Sequence, residues 1–131
     1  MILLDTHVLI WDALAPHQLS LQAQQAIVQA NQQDGMLVAD ISLWEIAMLV
    51  QKGHIQIATD CQTFLTLLLQ ANKLRVVPIS SAIATHSVQL PALVNKDPAD
   101  RLIVATALVE KAVLVTADRN LQTIGAITTL W

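Results

Sequence analysis

The sequence predicts an α/β fold in three layers, a short and mostly parallel central sheet with helices on both faces. Three observations carry that reading. Runs of three or four apolar residues alternate with longer helical segments, the order of βαβ units rather than of hairpins. Those runs lack the apolar–polar alternation of a half-exposed strand, as strands covered on both faces do. Apolar residues make up 54% of the chain and charged residues 13%, against roughly 45–50% and about 25% in an ordinary domain.

Taken in order, Ile2 to Leu4 is a buried strand running into a turn at Asp5-Thr6. Val8 to Leu14 is helical and stops before Pro16, because a residue preceding proline avoids the helical region. Ser20 is the N-cap of a helix from Leu21 to Gln33, with Leu19, Ala23, Ile27 and Ala30 on one side and glutamines on the other. Asp34-Gly35 ends it, and Met36 to Val38 is the second strand. A helix from Leu43 to Lys52 stops at Gly53, and another runs from about Asp60 to Asn72. Arg75 to Val77 is a strand, and Ala82 to Leu90 a short helix before Pro91. Pro98 opens a long helix from Ala99 to Lys111, since proline suits a first turn. Ala112 to Val115 is a strand leaving through Thr116-Ala117-Asp118, and Ile127 to Thr129 a last edge strand.

The 131 residues suit one domain, 1–131, with no repeat or linker to divide it. Cys61 is alone, which excludes a disulfide-stapled scaffold and suits a small buried apolar residue. Seven Lys and Arg against ten Asp and Glu give a net charge of −3, which excludes a basic nucleic-acid wrapper. One Phe, three Trp and no Tyr make no platform for stacking successive bases. The amino terminus resembles no secretory signal, and the apolar run from Leu102 to Ala117 is interrupted by Glu110-Lys111. The expectation is a soluble cytoplasmic protein with no membrane partner.

The acids are unusual: eight Asp and two Glu, with thirteen Gln supplying polar surface. Each acid near a predicted strand end has a purely structural explanation. Asp5 is a turn or cap residue, Ser42-Leu43-Trp44-Glu45 is a capping box, Asp97-Pro98-Ala99-Asp100 is a cap followed by a dipole-favoured acid, and Asp118 is a turn residue. Together they say more. Asp5 and Asp118 follow strands, while Glu45 and Asp100 fall in first helical turns, so all four can face one end of a parallel sheet, where such folds bind ligands. Carboxylates within about 4 Å repel by on the order of 4 kcal/mol per pair at an effective dielectric near 20, so protons or a cation must compensate. An all-oxygen site without Cys or His spacing suits Mg²⁺ or Mn²⁺.

The segments Leu3-Leu4-Asp5-Thr6-His7-Val8-Leu9-Ile10-Trp11, Ile41-Ser42-Leu43-Trp44-Glu45-Ile46-Ala47, Asp97-Pro98-Ala99-Asp100-Arg101-Leu102-Ile103 and Leu114-Val115-Thr116-Ala117-Asp118 resemble the successive motifs of PIN-domain nucleases, in particular the VapC-type toxins of bacterial toxin–antitoxin pairs. The resemblance runs through nearly the whole chain and implies a PIN-like fold, a metal-dependent endoribonuclease, an RNA substrate and a cognate antitoxin. By position, Asp5, Glu45, Asp100 and Asp118 match the family's metal-binding acids. Asp5 and Asp100 are then the principal ligands, and Asp97 is accessory, capping the helix that presents Asp100. The chain departs from the pattern at Ala99, often aromatic in such toxins, at Leu49, often basic, and at Asp40, an added acid.

Around this set, Thr6 and Thr116 are hydrogen-bonding candidates for Asp5, water or phosphate. Arg101, Arg119, Lys52 and Lys96 are candidate phosphate contacts. His7 reads as a packing residue at a helix start, Trp11 and Trp44 as core, and the Leu-rich stretch Phe64 to Leu69 as a homodimer seam or antitoxin groove. Two other classes compete: a non-catalytic interaction module with the same fold, and an acidic Mg²⁺-binding signalling receiver, which would need an acid where Arg75-Val76-Val77-Pro78 has none.

Overall fold

A computed structural model describes residues 1–91 and 96–131. Among the described residues a five-stranded sheet is formed by β1 (Ile2–Leu4), β2 (Met36–Ala39), β3 (Leu74–Val77), β4 (Val113–Val115) and β5 (Thr129–Leu130). The order is β3-β2-β1-β4-β5 and every pairing is parallel. The helices are α1 (Thr6–Leu14), α2 (Leu21–Gln32), α3 (Asp40–Gln51), α4 (Cys61–Ala71), α5 (Ser81–Gln89), α6 (Pro98–Glu110) and the single turn α7 (Arg119–Gln122), with a 3₁₀ turn at Pro16–Gln18.

The pleat explains the three layers. Successive strand side chains point to opposite faces, and here both faces are covered. Leu4, Met36, Val38 and Val115 pack with Val8, Leu9, Ile27, Ile46, Phe64 and Leu68 from α1 to α4. Their neighbours Leu3, Leu37, Ala39 and Leu114 pack with Ile83, Ile103, Val104 and Leu121 from α5, α6 and α7. This double burial is why β1, β2 and β4 read as continuous apolar runs.

Chain order departs from sheet order beside β1. From β1 the chain builds outward through β2 and β3, then crosses back to place β4 on β1's other side. Such a switch leaves a crevice at the carboxyl ends of the strands. Asp5 ends β1 there, and Thr116 to Asp118 end β4.

Most element ends shift by a residue or two from the sequence reading, and three differences bear on the site and the sheet. The helix expected from Leu43 begins at Asp40, with Ala39 as N-cap and no side-chain cap bond. The last strand is Thr129–Leu130 rather than Ile127 to Thr129, because pairing to β4 sets its register, Leu114 opposite Thr129. The turn α7 was not anticipated; Asp118 starts it by accepting the Asn120 amide at 2.8 Å. No helix among the described residues is long and apolar enough to cross a membrane.

Candidate active site

Asp5 is set by its place at the end of β1. Its Oδ1 accepts the Thr6 amide at 2.8 Å and its Oδ2 the Thr116 hydroxyl at 2.7 Å. The expected cap is therefore real, and the second oxygen ties β1 to β4. Thr116 is fully buried, and its hydroxyl oxygen also accepts the Asp118 amide at 3.1 Å. One hydroxyl thus orients two of the acids.

Glu45 is held differently. The earlier start of α3 puts Ser42 inside the first turn and Glu45 in the second, so the expected capping box does not form. Ser42 is fully buried, with its hydroxyl 2.8 Å from that of Thr6. The Thr6 hydroxyl donates to Glu45 Oε1 at 2.5 Å. A hydroxyl has one proton to give, so with Glu45 ionised, Ser42 donates to Thr6 and Thr6 to Glu45. Sequence reasoning missed Ser42, because serine three residues before a glutamate is also the signature of a cap.

Asp97 and Asp100 come from the start of α6. Asp97 Oδ1 accepts the Ala99 amide at 2.9 Å, the expected cap, and Pro98 opens the helix. Asp97 is also drawn into the site more closely than its accessory reading implied. One oxygen each from Glu45, Asp97 and Asp100 lie within 4.8 Å of one another.

These acids share a cavity of ≈ 360 Å³ lined by Asp5, Glu45, Asp97, Asp100 and Asp118, with Thr6, His7 and Trp11 on its wall. No lysine or arginine among the described residues lines it, and the proton affinities record this. Burial, then the charges of Asp5, Asp97, Glu45 and Asp118, push Asp100 up to about 7. Burial raises Glu45 too, opposed by the Thr6 hydroxyl and reinforced by Asp97 and Asp5. Asp5 is raised by burial, against the bonds from Thr116 and Thr6. The donor set fits a hard divalent cation: every donor is oxygen, and one carboxylate oxygen each from Glu45, Asp97 and Asp100 converge within reach of a single ion.

The other expected contacts scatter. Arg101 does not extend into the cleft: its guanidinium donates to the carbonyls of Ser87, Leu90 and Pro91 at 3.0, 2.5 and 3.3 Å, tying down the end of α5. Arg119 is exposed at the start of α7, and Lys96 is exposed beside Asp97. Lys52 is exposed at the far end of α3, about 10 Å along the axis from Glu45 at 1.5 Å per residue. His7, at the start of α1, is exposed, and its ring centroid lies 5.9 Å from that of Trp11. Trp11 is half-buried between His7 and Trp131. Trp44, expected in the core, is 55% exposed, because α3 turns that side outward. Cys61 is half-buried.

Comparison with known proteins adds three findings. A family model described as PIN domain matches residues 2–127. A protein of Mycobacterium tuberculosis (strain ATCC 25618 / H37Rv) named ribonuclease VapC22 is 42% identical over 121 residues, covering 92% of this chain and 89% of its own. Among solved structures, VapBC2 from Rickettsia felis bound to a DNA fragment from their promoter matches with a TM-score of 0.76 at 20% identity, over 99% of this chain and 98% of that one. FitAcB from Neisseria gonorrhoeae matches at 0.71 and 21% identity, over 99% and 96%. At such identity the structural matches speak for the fold.

Proposed function

The chain belongs to the PIN-domain family, and from that premise we propose that it is the toxin of a toxin–antitoxin pair, a Mg²⁺- or Mn²⁺-dependent endoribonuclease folded as one domain over residues 1–131. The observation that carries this reading is the convergence of Asp5, Glu45, Asp97, Asp100 and Asp118 on one cavity whose described lining has no Lys or Arg. The relative named a ribonuclease, 42% identical, supports RNA as the substrate. The scarcity of basic residues is no obstacle, since a cation held by the acids can itself receive a phosphate.

Glu45, Asp97 and Asp100 are the trio we assign to holding the cation, with Asp5 and Asp118 at its edge. A bound divalent cation supplies charge neutralisation at the scissile phosphate and lowers the pKa of a coordinated water. The protein's own part is positioning. Thr116 and the Thr6 amide hold Asp5 in one orientation and favour its charged form, while Ser42, through Thr6, orients Glu45. Hydrolysis joins the water oxygen to phosphorus and breaks the bond to the 3′ oxygen, leaving a 5′-phosphate and a 3′-hydroxyl. The attacking water gives up one proton and the departing 3′ oxygen takes one up, so the step balances.

For partners, we infer a cognate antitoxin and a homodimer. An apolar groove of ≈ 500 Å³ between α1 and α4, where Leu14 and Leu67 are 44% and 56% exposed, supports an apolar partner segment there. The decisive test is cleavage of total RNA by the purified chain. Cleavage with Mg²⁺ or Mn²⁺, lost in EDTA and in Asp100→Asn, is the expected result. Equal activity in EDTA or in the variant overturns the mechanism, and a chain that neither cleaves nor gains thermal stability from Mn²⁺ is an interaction module instead.

A further inference from the structure

A second cavity, of ≈ 510 Å³, opens beside the acid cleft, and Asp97 lines both. Its walls are apolar: Ile41 and Trp44 from α3, Ile79 after β3, and Pro98 and Ala99 from α6. Trp44 and Ile79 leave about half of their surface in water, at 55% and 45% exposed. Beside Asp97, the charged residue in the described lining is Asp40. Asp40 Oδ2 accepts the Ile79 amide at 3.0 Å, and its Oδ1 is buried with no hydrogen-bond partner among the described residues.

We propose that this cavity seats one unpaired base of the RNA strand, stacked against the Trp44 indole and selected for an exocyclic amino group through Asp40. The inference rests on the nuclease reading above and adds to it the origin of cleavage-site preference. Three features favour this occupant. Because Asp97 belongs to both cavities, a strand drawn to the acid cleft by the cation those acids would hold brings a neighbouring base to the apolar mouth. An exposed indole is a flat surface of the kind on which bases stack, whatever their identity. Both charged side chains in the described lining are carboxylates, which when ionised accept hydrogen bonds and donate none. They reward a base that donates through an exocyclic amine, as adenine, cytosine and guanine do, whereas uracil has no amine and its one ring N–H lies between two carbonyl oxygens that a carboxylate repels. Reaching Asp40 Oδ1 requires the base to part the pocket wall over it, and the donor it brings satisfies an acceptor otherwise left without one.

The test uses Asp100→Asn, which leaves bound RNA uncut, and follows tryptophan fluorescence as short oligo(A), oligo(C) or oligo(U) is added. The expected result is quenching, with oligo(A) and oligo(C) bound about tenfold more tightly than oligo(U), the scale of a lost stacking or hydrogen-bonding contact. Adding Trp44→Leu should remove the quenching and the discrimination. Adding Asp40→Asn, which keeps an acceptor for the Ile79 amide and introduces a donor, should bring oligo(U) to parity. Equal binding of all three oligonucleotides, no effect of Trp44→Leu, or no binding at all overturns the proposal. Mapping of cut sites with the otherwise unaltered chain, with and without Trp44→Leu, separates it from the nuclease reading. Discrimination in binding without cleavage under any divalent ion sinks the nuclease and keeps the base seat. Cleavage with no base bias beside the cut, unchanged by Trp44→Leu, does the reverse.

Discussion

The two edges of the sheet are built by opposite rules. At the carboxyl edge strands hand over to helix starts: Asp5 leads into α1 and Asp118 into α7, while Asp97 caps α6 alongside them. At the amino edge helices end and strands begin, through Gly35 before β2, Lys111 before β4 and Lys73 before β3. Helix starts offer free amides and a positive dipole end, which favour acids; helix ends offer free carbonyls, which favour left-handed residues and cations. Lys73 fits this rule, its Nζ donating to the Gln33 carbonyl at the end of α2. A parallel sheet collects the helix starts on one side, so acids chosen as caps arrive as a cluster. For Asp5, Asp97 and Asp118 cap and site are one arrangement, which is why each of these taken singly looked structural.

The largest effect should come from removing charge at the crowded edge. Asp100→Asn is expected to reduce metal-dependent RNA cleavage to background, yet to make the metal-free protein more stable near neutral pH. Asp100 holds its proton up to about 7 in the fold, against about 3.9 in an unfolded chain. Between those values the native state binds the extra proton, so unfolding releases it and stability falls as pH rises. In EDTA the wild-type melting temperature should fall from pH 5 to pH 7.5, and the asparagine variant should flatten that slope. Saturating Mn²⁺ should also flatten it, by replacing the proton with a cation. A wild-type melting temperature that rises over this range in EDTA would show that the acids are not crowded.

Substitution at the amino edge should do the opposite, harming stability and sparing the site. Gly35 sits at φ +88, and an added Cβ would lie 2.5 Å from the Lys73 carbonyl oxygen. Left-handed backbone costs a non-glycine residue roughly 1–2 kcal/mol before the clash is counted. Gly35→Ala should lower stability by about 2 kcal/mol or more, read by denaturant unfolding, while the Mn²⁺-induced rise in melting temperature remains. Loss of that rise would mean the two edges are coupled.

Much of this division was legible in the sequence. Strands such as Ile2–Leu4 and Met36–Ala39 announce themselves because burial on both faces leaves no polar position. Ser20, Asp60 and Asp97 mark helix starts because each accepts an amide of the first turn. Asp5, Glu45, Asp100 and Asp118 were legible as a candidate set through their places at strand ends and helix starts and through the four motifs. Less legible was anything decided by rotation of a helix about its axis. Two extra residues of helix before Ser42 turned an apparent cap into a buried partner of Thr6. The same rotation left Trp44 in water and gathered a pocket around it. Arg101 is a further case: its neighbour is an acid of the site, but its side chain runs to the end of α5, a contact 14 residues back in the chain.

A smaller effect probes how the carboxyl edge holds its acids. Thr116→Val keeps the shape of a fully buried side chain and deletes the hydroxyl that serves Asp5 and the Asp118 amide. Leaving such partners unsatisfied costs about 1–3 kcal/mol. Without the Thr116 bond Asp5 should hold its proton more tightly, so the variant should need more Mn²⁺ for half-maximal stabilisation. Thr116→Ser, which restores the hydroxyl, should recover most of that affinity; equal losses in both variants would assign the effect to packing.

The smallest predicted effect separates two lysines that the sequence could not tell apart. Lys96 adjoins Asp97 on the approach to the acids, whereas Lys52 follows α3 and lies toward the amino edge. A helix that starts at the carboxyl edge must carry its last residues away from it, so position along α3 alone removes Lys52 from the site. A lysine touching a single-stranded phosphate contributes about 0.7 to the slope of log affinity against log salt. Lys96→Ala in the Asp100→Asn background should therefore weaken oligonucleotide binding for all bases alike and reduce that slope by about 0.7, while Lys52→Ala leaves both unchanged. Equal losses from the two substitutions would mean that RNA is gripped along the whole length of α3, and that the carboxyl edge is only one end of a longer track.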